Sequence, residues 1–397
     1  MIYDVVIIGG GIHGAGVAQA AAAAGYSVLV LEKTAIAHGT SSKSSKLIHG
    51  GLRYLESGQI KLVFECLSER SLLLELAPDL VRLESFFIPI YKHTKRRPWE
   101  IRAGLSLYAA LGKFKRDARF ENVPVAQWKN LDGISIENLQ AVYKYKDGAT
   151  DDAALTRAVI QSAKSLGAEL KMPAEFISAI PGVVVNEIKY SVNGTVHNCK
   201  SRLLVNTAGP WANAILEKVT PTPEKREFDL VAGAHIILDE PAPSGMYYVE
   251  APQDQRAVFV MPWQGKTMIG TTETVFLGNP SDVAPLPEEE TYLCDVASSY
   301  FPKFKDLTRE KIVGSFAGLR VLPHASGKAF SRPRETTFHV DKKLAPRIAT
   351  IYGGKLTAYR ITAEKFVAQF SGALPRRKRK AETHKLPLTP TKTAIGK

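Results

Sequence analysis

A short apolar strand that runs straight into a cluster of glycines is the feature that most narrows what this chain can become. Val5 to Ile8 is β-branched and ends at a glycine, which suits a strand buried on both faces of a parallel sheet. Gly9, Gly11 and Gly14 follow at G-x-G-x-x-G spacing, and Ile12 to Ala24 reads as an alanine-rich helix with small side chains. A second strand ends at Leu31 and is closed by Glu32, where a carboxylate meets the ribose hydroxyls of an adenosine. Gly9 permits the sharp turn, Gly11 lets backbone approach a pyrophosphate, and Gly14 lets helix and strand touch. Amides at the helix start then face the phosphates. The unit binds a dinucleotide. Glu32 disfavours a 2′-phosphate by like-charge repulsion, and NAD and the ADP half of FAD both stay open on these residues alone.

With 397 residues the chain has material for two or three domains. No apolar stretch is long enough to span a bilayer, and the N-terminus enters a strand without a basic leader, so a cytoplasmic or membrane-peripheral location is expected. Cys66, Cys199 and Cys294 are far apart and form no ligand set, which predicts a reducing compartment and no metal site. The net charge of +13 is unevenly spread. Residues 375–397 carry eight Lys and Arg against Glu382 alone, so this stretch is expected to be a solvated, disordered basic tail. A basic cluster can also hold a protein to acidic lipid. Nucleic acid is not an expected partner.

Gly39 to Lys46 is rich in small hydroxyl residues and leads directly into Leu47, His49, Gly50, Gly51, Arg53 and Tyr54. A disordered linker would not run into so apolar and basic a segment, so an ordered ligand-binding loop is expected. Residues 61–76 have helical spacing, with Leu62, Cys66, Leu73 and Leu76 apolar and Glu65, Glu69 and Arg70 expected to be exposed. A strand over Phe86 to Tyr91, a basic turn over Lys92 to Arg97 and a helix with Ile101, Leu105, Tyr108 and Leu111 on one face follow. That helix reads as an amphipathic surface helix, and the basic turn beside it would also suit a membrane. Asp152 is the expected N-cap of a helix from Ala153 to about Leu166. Strands are expected around 174–180, 183–190 and 195–198.

Leu203 to Asn206 is another buried strand, ending in a small-residue turn with Ala208, Gly209 and Trp211 that can meet the cofactor. Val231 to Leu238, Ala257 to Pro262 and Thr267 to Thr271 suggest an antiparallel sheet in a different domain, followed by a helix over Glu288 to Tyr300 and a strand over Ile312 to Arg320. Ile348 to Tyr352, the turn Gly353, Gly354, Lys355, Leu356 and Thr357, and a helix from Tyr359 to Phe370 repeat the opening logic. This turn is expected to meet the same cofactor from the other side. His13, inside the first glycine turn, reads as a packing residue.

The stretches Asp4 to Gly16, Thr40 to Glu56, Asn206 to Trp211, Ile269 to Thr272, Gly318 to Arg320 and Tyr352 to Arg360 together resemble the FAD-dependent glycerol-3-phosphate dehydrogenases, within the wider D-amino-acid-oxidase-like flavoproteins. The likeness spans roughly residues 1–372 and implies FAD rather than NAD. Family members commonly continue with a helical C-terminal domain of about a hundred residues, most of which is expected to be absent here. The fold implied is α/β plus α+β: a Rossmann-like FAD domain (1–85, 150–215 and 330–374) beside a mostly antiparallel substrate domain (86–149 and 216–329). The activity implied is oxidation of sn-glycerol 3-phosphate to dihydroxyacetone phosphate, with electrons passing to quinone or oxygen. A peripheral membrane face and a homodimer are compatible with it.

By the same likeness, Arg53, Tyr54, Thr271, Arg320 and Lys355 hold the substrate, and His49, His235 and Arg320 are the catalytic candidates. The cofactor set comprises Gly9, Gly11, Gly14, Glu32, Lys33, Thr40, Ser41, Ser42, Ser45, Lys46, Leu47, His49, Gly50, Gly51, Ala208, Gly209, Trp211, Gly353, Gly354, Lys355, Leu356 and Thr357. The chemistry asks for such residues independently. A dianionic phosphate needs Arg or Lys donors, and a carbinol that loses hydride needs a neighbour to take its proton, which imidazole suits at neutral pH. Oxidation of another hydroxy acid or an amino acid, and a flavin-binding module without catalysis, are the alternatives.

Overall fold

Two β-sheets organise the computed structural model, which describes residues 1–241, 243–324 and 336–391. The core of the first sheet is parallel, with Ile348–Tyr352, Thr195–Asn206, Ile2–Ile8, Val28–Leu31 and Glu169–Lys171 side by side. Thr337–Val340 adds an antiparallel edge. Val5, Ile7, Val28 and Val30 pack towards the helices Ile12–Ala23, Asp152–Ser165 and Tyr359–Phe370. Val6, Ile8, Leu29 and Leu31 pack on the opposite face against Phe176 and Ile188. Burial on both faces is why these strands read as unbroken apolar runs. The alanine-rich helix lies between the sheet and two other helices, so nearly all of it is buried and it has no polar stripe.

The second sheet runs Thr274–Phe276, Phe228–Pro241, Lys266–Gly270, Ala257–Trp263, Met246–Glu250, Val81–Tyr91, Leu139–Thr150 and Leu47–Ile48. Ile312–Pro323 lies along Phe228–Pro241 over most of its length. Every pairing is antiparallel except Met246–Glu250 with Val81–Tyr91. Helix Pro287–Tyr300 covers one face through Leu293, Val296 and Ala297. Helices Ile60–Leu76 and Pro98–Leu111 cover the other through Val63, Leu67, Ile101 and Leu105. This architecture is the Rossmann-like α/β plus α+β class read from the sequence.

Several local expectations change. The segments at 195–198 and 203–206 are one strand, Thr195–Asn206, whose first half pairs antiparallel with Asn186–Val192 and whose second half joins the parallel core. Leu47–Ile48 and the strand starting at Val81 belong to the second sheet, so the chain crosses between sheets earlier than residue 86. Glu69 and Arg70 are buried, not exposed: Arg360 grips Glu69 through Nε (2.9 Å) and Nη2 (2.6 Å), and Arg70 pairs with Asp147 at 3.0 Å and Asp117 at 2.6 Å. The N-cap is Asp151, whose carboxylate accepts from Ala154 N–H at 2.8 Å, while Asp152 is fully buried and binds Lys46.

The basic tail is ordered as far as Thr391, and residues 392–397 fall outside the described residues, as does the expected boundary at 330. Arg377 holds buried Asp4 through two contacts of 3.0 Å. The amides of Lys380 and Ala381 donate to Ala23 O, and that of Leu388 to Leu76 O. Ala23 and Leu76 end their helices, where carbonyls lack intrahelical partners. The tail supplies those donors, so its backbone is tied down, and Arg377 and Lys380 add side-chain bonds to Asp4 and to Leu166 O. Arg360 also donates to Thr383 Oγ1 at 2.9 Å, joining the tail to the Glu69 pair.

Burial disfavours the Glu69 carboxylate and Arg360 offsets that cost. Removing only the cation therefore strands a charge. Arg360→Met is expected to lower unfolding stability by about 3 kcal/mol in urea titrations, and Glu69→Leu/Arg360→Met together to recover most of it. Equal losses in the single and double variants would contradict this account.

Candidate active site

The carboxyl ends of Ile2–Ile8, Val28–Leu31, Thr195–Asn206 and Ile348–Tyr352 meet at one edge of the first sheet and continue into Gly9 to Gly11, Glu32, Thr207 to Trp211 and Gly353 to Thr357. Ligands of open parallel sheets bind at such an edge. A cleft of about 1110 Å3 opens there, walled on its other side by the second sheet. The turn is shaped for close approach: Gly9 has φ +102°, and a methyl at Gly14 would lie 1.9 Å from Gly9 O. Glu32 is oriented in advance, accepting from Gly10 N–H at 2.6 Å and Thr34 N–H at 2.7 Å. Beside it, Lys33 pairs with Glu175 at 3.1 Å. Ser41 Oγ accepts from Ile12 N–H at 2.9 Å, at the start of the alanine helix. Asn206 braces the next turn, accepting from Ala208 N–H and donating to Ala212 O.

The cleft is lined by Gly9, Gly11, Glu32, Lys33, Thr40, Ser41, Ser45, Leu47, His49, Gly51, Ala208, Gly209, Trp211, Gly353, Gly354, Lys355, Leu356 and Thr357 of the expected cofactor set. It is also lined by Arg53, Tyr54, His235, Thr271 and Arg320. Gly14, Ser42, Lys46 and Gly50 stand behind its walls. Gly14 serves helix packing, Gly50 donates its amide to buried Tyr108 Oη at 2.9 Å, and Ser42 Oγ bonds back to Gly39 O. Lys46 Nζ turns inward to Asp152 Oδ1 at 2.8 Å and Ser42 O at 2.6 Å, locking the hydroxyl-rich loop. That loop also reaches the second sheet through Thr40 Oγ1 to Leu319 O at 2.9 Å.

Two cationic groups flank the cleft. Lys355 Nζ lies 3.4 Å from the Tyr54 ring centroid and Arg53 Cζ 5.5 Å from it, a cation–π arrangement. On the second sheet, register brings Arg320 opposite Val231, and His235 opposite Phe316 and Gly270. Gly233, between Val231 and His235, leaves room for two side chains, since a methyl there would sit 2.6 Å from Thr271 Oγ1 and 2.7 Å from Arg320 Nη2. Arg320 Nη2 donates to Thr271 Oγ1 at 3.3 Å. Glu273 lies 3.9 Å from Arg320 and 3.5 Å from Arg256. Arg256 and Glu273 were not picked out from sequence. Both are brought in by ion pairs between separate loop ends, although the position of Glu273 two residues after Thr271 is a sequence signal.

His235 is 1% exposed, stacks on Phe316 and meets Ser45 Oγ through Nε2 at 2.9 Å. Burial, then the charges of Arg320 and Lys46, push its pKa down to about 3, against a smaller opposing effect of the Gly233 backbone. The ring is therefore neutral throughout the physiological range. His13 also lines the cleft, and burial takes its pKa down to about 4. His49 is fixed through its backbone, whose N–H donates to Thr357 Oγ1 at 3.1 Å and so couples the first and last cofactor loops.

The donor set fits a flavin dinucleotide: a side-chain-free turn, a carboxylate for ribose hydroxyls, hydroxyl and backbone donors along the cleft, and cations at its far end. Residues 4–360 match the family described as FAD dependent oxidoreductase. A glycerol-3-phosphate dehydrogenase of Pseudomonas aeruginosa is 36% identical over 93% of this chain and 71% of its own length. A D-erythritol 1-phosphate dehydrogenase of Brucella abortus is 34% identical over 94% and 74%. Among solved structures, the glycerol-3-phosphate dehydrogenase of Bacillus halodurans complexed with FAD superposes with a TM-score of 0.74 at 28% identity, over 98% of this chain and 68% of that one. With cleft, fold and relatives in agreement from Asp4 to Arg360, the chain belongs to the FAD dependent oxidoreductase family and its cofactor is FAD.

Proposed function

We propose that the protein oxidises sn-glycerol 3-phosphate to dihydroxyacetone phosphate and passes the electrons to a membrane quinone. The observation that carries this reading is the convergence of Arg53, Lys355, Arg320 and Arg256 with Tyr54 and Thr271 on the cofactor cleft. The Pseudomonas relative named glycerol-3-phosphate dehydrogenase supports it. Gly9, Gly11 and Glu32 hold the adenosine and pyrophosphate end of FAD, and the loops at Thr40 to Ser45, Ala208 to Trp211 and Gly353 to Thr357 hold the remainder. FAD held by these residues would supply the hydride acceptor for the carbinol carbon.

The protein's own part is to anchor and deprotonate. Arg53, Lys355 and Arg320 neutralise the phosphate, with Arg320 offering a planar fork to two oxygens. Glu273 stands beside the Arg256 and Arg320 guanidinium groups and helps to orient them. His235 and His49 are the acceptors for the hydroxyl proton. The low proton affinity of His235 keeps its ring unprotonated, and an incoming phosphate dianion opposes the Arg320 charge that depresses it.

A longer polyol phosphate is the second reading, favoured by the Brucella relative named for D-erythritol 1-phosphate. Anaerobic glycerol 3-phosphate is expected to bleach the yellow flavin, with erythritol 1-phosphate and a panel of amino acids as competitors. Bleaching by an amino acid alone would refute the reading. Arg320→Ala should cut kcat/KM for glycerol 3-phosphate about a hundredfold, the value of about 3 kcal/mol of charged hydrogen bonding.

Acidification tests the histidines separately. Both folded-state values lie below the ordinary histidine range, so the unfolded chain takes up protons first as pH falls. Stability contributed by His13 and His235 is thus present above about pH 6.5 and lost towards pH 4, at about 1.4 kcal/mol per pH unit for each ring. His235→Gln should flatten the slope of stability against pH by one ring's share. An unchanged slope would show the ring is not held neutral.

The quinone requires a membrane face. Trp99, Phe114, Leu107, Ile60 and Phe64 are exposed in or beside the packed helices Ile60–Leu76 and Pro98–Leu111, among exposed Lys92, Lys95, Arg97, Arg102, Lys113, Lys115 and Arg116. Among the described residues no helix is long and apolar enough to cross a membrane. Aromatic and basic side chains together suit an anionic bilayer surface. Co-sedimentation with vesicles containing phosphatidylglycerol is expected, and Trp99→Ser/Phe114→Ser should weaken it without altering flavin content. Equal binding to neutral vesicles would contradict the charge argument.

A further inference from the structure

We infer that Arg96 is a positioning residue for Arg53 and Tyr54, acting through a two-point grip on Glu56. The inference rests on the proposed function, in which those two side chains face the substrate phosphate. The turn from Lys92 to Arg97 reads in sequence as uniformly basic and solvent-facing. In the fold its members part company: Lys92, Lys95 and Arg97 are exposed, whereas the Arg96 side chain is 17% exposed and points inward. Nε donates to Glu56 Oε1 at 2.5 Å and Nη2 to Glu56 Oε2 at 3.0 Å. Nη1 reaches Glu250 Oε2 at 2.7 Å and Gln255 O at 3.3 Å. The second Glu250 oxygen accepts the Lys95 amide at 2.5 Å. One guanidinium thus ties a turn, a strand end and Glu56 into a single knot.

Glu56 matters because of where it stands. It directly follows the single 3-10 turn Leu52–Leu55 and donates its N–H to Arg53 O at 3.2 Å. A turn of that length has too few hydrogen bonds to hold its own direction. Leu52, Tyr54 and Leu55 pack on the core, and the direction of the turn over that core is set by what fixes its two ends. The front end is held where Gly50 N–H meets buried Tyr108 Oη, and the back end is held by Glu56 in the Arg96 fork. Tyr248, on the cleft wall, is half-buried beside the charges of Arg96, Glu56 and Arg53, so the knot abuts the space the substrate would fill. An isolated surface pair would contribute little. Two parallel bonds plus a second carboxylate define one geometry, which an ammonium group cannot copy.

The test uses the full chain loaded with FAD. In Arg96→Ala, the KM for glycerol 3-phosphate is expected to rise about tenfold while kcat stays within about twofold, with flavin content and Tm as in the parent. Arg96→Lys should recover only part of the loss, and Glu56→Gln, which keeps size and one acceptor oxygen, should shift KM in the same direction. The Kd of inorganic phosphate, read from the flavin absorbance change, should weaken in parallel. Unchanged KM and phosphate affinity in Arg96→Ala and Glu56→Gln would overturn the inference. So would a Glu56→Gln protein in which kcat, flavin content and Tm all fall with KM, because that is the signature of a structural role. If Arg96→Ala does not fold, Glu56→Gln decides. A parent protein whose flavin is not bleached by glycerol 3-phosphate sinks the proposed function instead, and the phosphate titration then judges Arg96 by itself.

Discussion

The approach of one helix to one strand governs this molecule. At Gly14 the helix Ile12–Ala23 lies so near the end of Ile2–Ile8 that a single methyl would collide with Gly9 O, and Thr207 Oγ1 stitches the same place by donating to Ile8 O at 2.8 Å and Gly9 O at 3.1 Å. The carboxyl ends of three chain segments far apart in sequence are drawn together there. Helix amides, the Glu32 carboxylate and the turn after Asn206 consequently face one space. Had the helix stood further off, the buried alanines along it would have lost their contacts on three sides, and close packing is what makes such small side chains useful.

The second sheet depends on that edge through the hydroxyl-rich loop. Thr40 reaches Leu319 O, next to Arg320; Ser45 meets His235; Lys46 is drawn back to Asp152 at the start of a helix that packs on the alanine helix. Three neighbouring residues of one loop therefore set the spacing between the cofactor edge and the cationic wall. Lys46, Asp152 and His235 in this joint are buried, and a buried polar group must be paired or costs about 1–3 kcal/mol. Such a joint has few alternative arrangements, which suits a site where substrate and flavin must meet at short range.

Electrostatics then sets the character of the cleft. Arg53, Lys355, Arg320 and Arg256 line it, with Glu273 beside the last two and the face of Tyr54 beside the first two. Away from bulk water these charges are weakly screened, so a dianion gains more there than at an open surface. Burial, with the Arg320 and Lys46 charges adding to it, holds His235 neutral beside them.

Much of this was legible in the residues themselves. The strand, glycine turn, alanine helix and terminal Glu32 follow from local sterics and period, so the sequence alone determined the dinucleotide fold, and the hydroxyl and Gly-Gly-Lys stretches carried the likeness to a flavoprotein family. What local pattern cannot encode is which distant groups become partners. Glu69, Arg70 and Asp152 look like surface or capping residues until Arg360, Asp147 and Lys46 arrive from elsewhere in the chain. Five consecutive cations from Arg376 to Lys380 suggest disorder until Asp4 is seen to take the Arg377 charge and the carbonyl of Ala23 the backbone amides of Lys380 and Ala381. Arg256 and Glu273 join the site through ion pairs between segments that only the fold brings together. Tertiary structure decided these matters because a buried charge is tolerable only beside its counter-charge, and nothing short of the fold says where that lies.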